Sequence, residues 1–234
     1  MLSAVAFLSV VGRSQPPTER TFRWFPVAGA LIGGVVAACW WGTQEVWAIP
    51  LAAALTIAAD LAITGVLHID GLADSADGLL PHMERERRLE VMAQPDVGAF
   101  AMGTVAVTVL VRWAALASGG VSPWSIVAVW CLSRTLAAAV PSFVSYARPD
   151  GLAAPFLGTG SGSNRWLVLV VVPATAALIA AQQLRGGIAA VALVVTTVGV
   201  ITLARRRLGG FTGDVLGASI VLSETAALVA LAAR

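Results

Sequence analysis

The chain has 234 residues, of which 58% are hydrophobic and 12% charged, and a mean hydropathy of +0.84, far more apolar than ordinary soluble usage, so it is expected to live in a bilayer. Its 15 basic residues are all arginine and its formal net charge is +2; they are scattered between apolar runs with no aromatic-interleaved basic patch, which excludes nucleic acid as a partner. The two cysteines, Cys39 and Cys131, sit inside apolar runs away from any Cys/His spacing, which excludes a zinc site or disulfide framework and leaves packing roles.

In chain order, residues 1–12 are apolar but too short to cross a membrane. They lack a preceding basic region and a cleavage site, so they are read as an interfacial or bundle-dipping segment rather than a signal peptide. A spanning helix needs about twenty mostly apolar residues. Such runs lie near 26–43, 47–68, 98–118, 122–144, 166–183, 186–204 and 215–233, so about seven spans are expected. No fixed-period repeat, low-complexity tail or long linker appears. The expected fold is all-α, a polytopic integral membrane helical bundle forming one domain over 1–234.

The connections alternate in charge. Arg13, Arg20 and Arg23 precede the first span, Arg85, Arg87 and Arg88 follow the second, Arg148 and Arg165 follow the fourth, and Arg205, Arg206 and Arg207 follow the sixth. The intervening connections contain only Arg185. By the positive-inside rule the N-terminal end is cytoplasmic, Arg234 is external, and residues 69–97, 145–165 and 205–214 share the cytoplasmic face of a cell-membrane protein. A site assembled from several loops is expected there.

Its chemistry is suggested by His68-Ile69-Asp70-Gly71-Leu72-Ala73-Asp74-Ser75-Ala76-Asp77-Gly78. On a helix, Asp70, Asp74 and Asp77 fall within a sector of about 60°. Three such anions repel one another unless a cation joins them, and hard oxygen ligands suit magnesium, with manganese as the alternative. A plain solvated helix start is the competing reading. It is opposed by the interleaved Gly71, Leu72, Ala73, Ala76 and Gly78, small or apolar residues suited to close packing on the other side. His68 is a candidate general base or phosphate ligand, and His82 is less well placed.

Asp60, Arg112 and Arg134 are ionisable residues inside apolar runs, where charge is costly without a partner. Structural pairing of the arginines with Asp60 is favoured over phosphate binding. On one continuous helix Asp60 would lie about 80° from Asp70, a geometry that a break at Gly65 would change. The charges of Glu84–Glu90 resemble an exposed helix with paired side chains. Arg205–Arg207 followed by Leu208-Gly209-Gly210-Phe211-Thr212-Gly213-Asp214 reads equally as a phosphate-binding turn or as a topogenic cluster with a helix cap. Gly158–Gly162 is read as a flexible loop, because no strand precedes it.

The Asp-rich stretch, with Glu86-Arg87-Arg88-Leu89-Glu90-Val91-Met92 and Val97-Gly98-Ala99-Phe100, resembles the cobalamin synthase family, the adenosylcobinamide-GDP ribazoletransferases. Arg23-Trp24-Phe25-Pro26-Val27-Ala28-Gly29 with Ile32-Gly33 resembles the family's N-terminal signature, and Leu208 to Ala218 with Ser223-Glu224 its C-terminal one. The resemblance implies attack of the ribazole 3′-hydroxyl on the phosphate of the cobinamide aminopropanol arm, with departure of GMP and formation of cobalamin or its phosphate. It also implies corrinoid-nucleotide and ribazole substrates, Mg2+ held by Asp70, Asp74 and Asp77, and a proton acceptor among those acids or His68. Arg23, Arg148, Arg205, Arg206 and Arg207 are the implied phosphate-binding candidates, and Asp214 would complete the site. A homo-oligomer or association with other cobalamin-assembly enzymes is left open. Two rivals stand beside it. A CDP-alcohol phosphotransferase lacks its DGxxAR and GxxxDxxxD pattern here, and a transporter would be expected to show a repeat and a midplane site.

Overall fold

A computed structural model describes residues 1–12, 19–148 and 165–233. Ten helices are found among them: α1 Leu2–Leu8, α2 Glu19–Arg23, α3 Phe25–Gln44, α4 Ile49–Thr64, α5 Leu67–Leu79, α6 Arg85–Val91, α7 Ala99–Ala117, α8 Pro123–Ala139, α9 Arg165–Leu208 and α10 Gly213–Ala232. Extended pairing among the described residues is limited to one isolated parallel bridge between Tyr146 and Phe211. Arg13 and the Gly158–Gly162 stretch lie outside the described residues.

Among the described residues five helices are long and apolar enough to cross a membrane, or six when α4 and α5, bent by 89°, are taken together. The expected count of seven is not reached by this measure, and α9 accounts for the difference. It is one run of 44 residues, but Gln183 inside it is not helical, with φ 50° and ψ −124°. A Cβ on Gly186 would come within 2.2 Å of the Leu178 carbonyl oxygen, so the chain bends sharply between the stretches read from sequence as separate spans.

The bundle has two distinct ends. At one, Trp40 Nε1 donates to Val121 O at 2.9 Å, Trp113 Nε1 to Pro50 O at 2.9 Å, and Gln182 Nε2 to Gly120 O at 3.1 Å. These bonds gather the arginine-poor connections. At the other, Arg85 Nε donates to Leu208 O at 2.6 Å and Arg207 reaches the carbonyls at the end of α5, drawing 79–88, 147–148 and 205–214 together. The partition of loops between two ends read from arginine placement is thus reproduced by the packing.

Close helix crossings depend on small residues, which let backbones approach where lipid offers no hydrophobic gain. On α3, a Cβ added at Gly29 would meet Trp130 O at 2.5 Å, and one at Gly33 would meet Trp130 Cβ at 2.7 Å, so this face lies directly on α8. The short N-terminal segment joins the bundle. The Phe7 and Phe25 rings stack at 5.9 Å, and Val10 N donates to Ile63 O at 2.9 Å, covering the end of α4.

Candidate functional site

The run expected as a span over 47–68 ends at Thr64. Gly65 and Val66 both take positive φ, 59° and 63°, and Val66 N closes the α4 terminus on Leu61 O at 3.0 Å. A β-branched residue in the left-handed region is a conformational outlier, held here by the packing on either side. The break turns α5 by 89° from α4, and α5 by itself is not among the helices long and apolar enough to cross. It also cancels the continuous-helix relation expected between Asp60 and Asp70.

The period of α5 sorts its residues into two faces. His68, Leu72, Ser75, Ala76 and Leu79 are buried, whereas Asp70 is exposed and Asp74 and Asp77 are half-buried. His68 is two residues before Asp70, about 160° away on the helix. It faces the bundle interior beside Gly217, where a Cβ would lie 3.4 Å from the His68 Cα, and its Nε2 has no hydrogen-bond partner. The structure therefore does not bring His68 to the acidic face.

Asp77 is committed to α7. Its Oδ2 accepts from Gly98 N at 2.6 Å and its Oδ1 from Ala101 N at 2.9 Å, satisfying two of the amides that a helix start leaves unpaired. Asp214 comes from the first turn of α10, whose Thr212 cap accepts from Val215 N at 3.3 Å and donates its hydroxyl to Asp214 Oδ2 at 3.2 Å. Ala147 N donates to Phe211 O at 2.8 Å and Phe211 N to Ser145 O at 3.0 Å, zipping the loop after α8 to the loop before α10. That pairing delivers Arg148, whose Nη2 lies 3.4 Å from Asp214 Oδ2.

Asp74 sits at the electrostatic centre. Burial, then the charges of Asp214 and Asp70, push its carboxyl up to about 7, while Arg148 pulls the other way. Among the described residues the site is an acidic face with one guanidinium, that of Arg148, at its edge. Among the described residues no three His, Cys, Asp or Glu side chains converge as a ready metal cage. Magnesium does not need one, since it commonly uses one or two carboxylates and completes its shell with water and phosphate oxygens. The crowded carboxylates Asp70 and Asp74 fit that donor set, whereas each oxygen of Asp77 already accepts from an amide at the start of α7.

Of the five arginines proposed for phosphate, Arg207 has other work, as does the neighbouring Arg88. Arg207 Nη1 donates to Leu79 O, to Leu80 O at 3.1 Å and to Pro81 O at 3.4 Å, while Arg88 Nη1 donates to Gly78 O at 2.7 Å. Both cap the C-terminal end of α5, where carbonyls lack helical partners. Arg205, Arg206 and Arg23 are exposed, and Arg148 alone is tied to an acid of the site. Arg87 pairs with Glu90 at 3.0 Å on the outer side of α6, as the mixed charges there suggested.

Beneath the site is a buried ionic network. Arg112 Nη2 is 3.1 Å from both Asp60 Oδ2 and Glu224 Oε2, Arg134 pairs with Glu224, Ser133 Oγ donates to Glu224 Oε1 at 2.9 Å, and Trp130 Nε1 donates to Asp60 Oδ1 at 3.0 Å. The guanidiniums of Arg112 and Arg134 lie 5.2 and 5.8 Å from the Trp130 ring centroid. Structural pairing of the intramembrane charges is what the structure shows, which removes the main support for a transporter. Sequence reading missed Glu224 as a partner, although an acid inside the apolar run 215–233 carried the same signal as Asp60.

These features define a polytopic helical membrane protein with a polar, acid-lined site built at one end of its bundle from α5, the loop after α8 and the start of α10. Residues 1–232 match the family model described as cobalamin-5-phosphate synthase, and the chain belongs to that family. Similar proteins named adenosylcobinamide-GDP ribazoletransferase include one from Bradyrhizobium diazoefficiens, 36% identical over 98% of this chain and 92% of its own length. Others are from Prosthecochloris aestuarii, at 33% over 95% and 92%, and Escherichia coli strain K12, at 35% over 88% and 85%. No solved structure matches the chain.

Proposed function

We propose that this protein joins adenosylcobinamide-GDP to α-ribazole or its 5′-phosphate, the closing step of cobalamin nucleotide-loop assembly. The ribazole 3′-hydroxyl forms a bond to the phosphorus next to the aminopropanol arm, the bond from that phosphorus to the bridging oxygen breaks, and GMP departs with the oxygen. The observation that carries the reading is the meeting of Asp70, Asp74, Asp214 and Arg148 at one end of a chain that matches the family along its whole length.

In this reading Asp70 and Asp74 hold magnesium, with manganese as a substitute. The ion, when bound, neutralises the pyrophosphate and stabilises charge on the leaving group. Arg148 binds a phosphate oxygen, and Asp214 orients its guanidinium. The acceptor of the hydroxyl proton lies among the carboxylates of the outward face of α5, since His68 is turned away. Asp77 acts by fixing the start of α7 against α5. Placement of the arginine-rich end in the cytoplasm follows from the positive-inside rule and would give soluble substrates direct access.

The test is GMP release from adenosylcobinamide-GDP by the purified protein in lipid, with and without ribazole and with and without magnesium. Release that needs both acceptor and metal is expected. Folded protein that releases no GMP under any of these conditions would refute the transferase assignment, and release without metal would refute the role given to Asp70 and Asp74.

A further inference from the structure

We propose that Glu224 is a positioning residue for the transfer: through Arg112 and Arg134 it sets the register of the four helices that carry the site. The inference rests on the transferase reading above. Glu224 is 1% exposed, Arg134 1%, Arg112 4% and Asp60 7%, so the network lies in the interior of the bundle. Its acids and bases are matched two to two. Glu224 is the member bonded to both arginines, with Oε2 on Arg112 and Oε1 on Arg134 and Ser133.

What gives the network a role beyond cohesion is where its helices lead. Asp60 is on α4, which continues across the Gly65–Val66 break into α5 with Asp70 and Asp74. Arg112 is on α7, whose first amides are held by Asp77. Arg134 and Ser133 are on α8, which runs through a short 3-10 turn, Val140–Ser142, towards Arg148. Glu224 itself is on α10, about 15 Å along the helix from Asp214. One carboxylate thus bonds α7 and α8 directly and reaches α4, which leads into α5, through Arg112 and Asp60.

Apolar packing would not fix this arrangement by itself. Val215 through Val221 of α10 are all buried, so that part of the helix has no exposed side to define its rotation. Buried ion pairs are weak contributors to net stability compared with well-packed apolar groups, and their best attested use is in fixing register. A carboxylate with oxygens directed to two different helices fixes both the rotation and the depth of α10. It thereby sets where Asp214 and Arg148 stand relative to Asp74.

The test uses the full chain in lipid nanodiscs, with Cys39→Ser and Cys131→Ser and nitroxide labels at Leu80 and Phe143, which are 42% and 72% exposed at the ends of α5 and α8. Glu224→Gln is expected to lower kcat by about tenfold or more while changing KM by less than about threefold, and to displace or broaden the nitroxide distance distribution. Glu224→Gln paired with Arg134→Gln removes one charge of each sign and decides the matter if the single variant does not fold. The pair is expected to regain thermal stability without regaining kcat or the native distances. A folded variant with native kcat, or with an unchanged distance distribution, would overturn the proposal. Absence of turnover in the unsubstituted protein would instead count against the transferase reading, and the nitroxide distances would still test the placement of the helices.

Discussion

Gly71 lies against the backbone of Asp214: a Cβ at Gly71 would be 2.8 Å from the Asp214 carbonyl oxygen and 3.1 Å from its Cα. The acids of α5 reach Asp214 and Arg148 only because the helix has no side chain at this crossing. Three residues beyond Asp214, Gly217 faces His68 and Gly71 at 3.4 to 3.6 Å, an ordinary contact distance. Gly71→Ala is therefore expected to push α5 off α10, costing about 1–3 kcal/mol as overpacking does, and to lower turnover strongly. Gly217→Ala should be mild in both respects. Thermal unfolding and GMP release measured on the two variants check this, and equal effects would mean that the crossing does not set the site.

Asp77 and Asp74 share a face of α5 but have different surroundings, so substitution should separate them. Asn retains an oxygen able to accept from Gly98 N or Ala101 N, and Asn is itself a good capping residue. Asp77→Asn should therefore keep most activity and stability, and Asp77→Ala should lose about 0.5–2 kcal/mol, the usual cost of a lost cap. Asp74→Asn should insert and fold normally yet abolish turnover. A dead but stable Asp77→Asn protein would return Asp77 to the metal-binding set.

The sequence carried the apolar runs, the grouping of arginine-rich loops at one end and the acidic face of α5, because each is a local pattern of period or charge. It warned of a break at Gly65 but not of its angle, which is set by how α5 packs on Gly217 and the start of α10. It did not separate His68 from the acids, since adjacency along the chain hides the helical rotation between positions 68 and 70. The fate of the arginines was equally hidden. Arg85 and Arg88 read in sequence as members of an exposed, side-chain-paired helix and Arg207 as part of a phosphate-binding or topogenic cluster, and only the fold shows them bonded to carbonyls at the ends of α5 and α9.

Arg207 and Arg148 accordingly should fail in different ways. Arg207 serves the carbonyls of Leu79, Leu80 and Pro81, and its replacement by Gln takes the charged donor away from this partly buried helix end. A stability loss of about 1–3 kcal/mol is expected, with little change in KM for the corrinoid nucleotide. Arg148, in a partly exposed pair worth about 1 kcal/mol or less, should show the reverse on replacement by Gln: nearly native unfolding, a raised KM and a lowered kcat. Steady-state kinetics and unfolding on both variants test the division.

The raised carboxyl of Asp74 gives the site a pH dependence of definite sign. Its value in the folded protein is about 7 against an ordinary 3.8, because burial and the charges of Asp214 and Asp70 disfavour ionisation. A carboxyl raised on folding binds its proton more tightly in the folded state, so its stabilising contribution is complete below the ordinary value and is lost as pH rises through about 7. Without divalent metal the protein should therefore lose thermal stability from about pH 4 to about pH 7 and level off above that. Magnesium competes with that proton and should restore stability at the higher pH while adding little at the lower, and Asp74→Asn should flatten both responses. Thermal unfolding across this range, with magnesium or a chelator, is the measurement. A magnesium effect independent of pH, or one that survives in Asp74→Asn, would place the ion elsewhere.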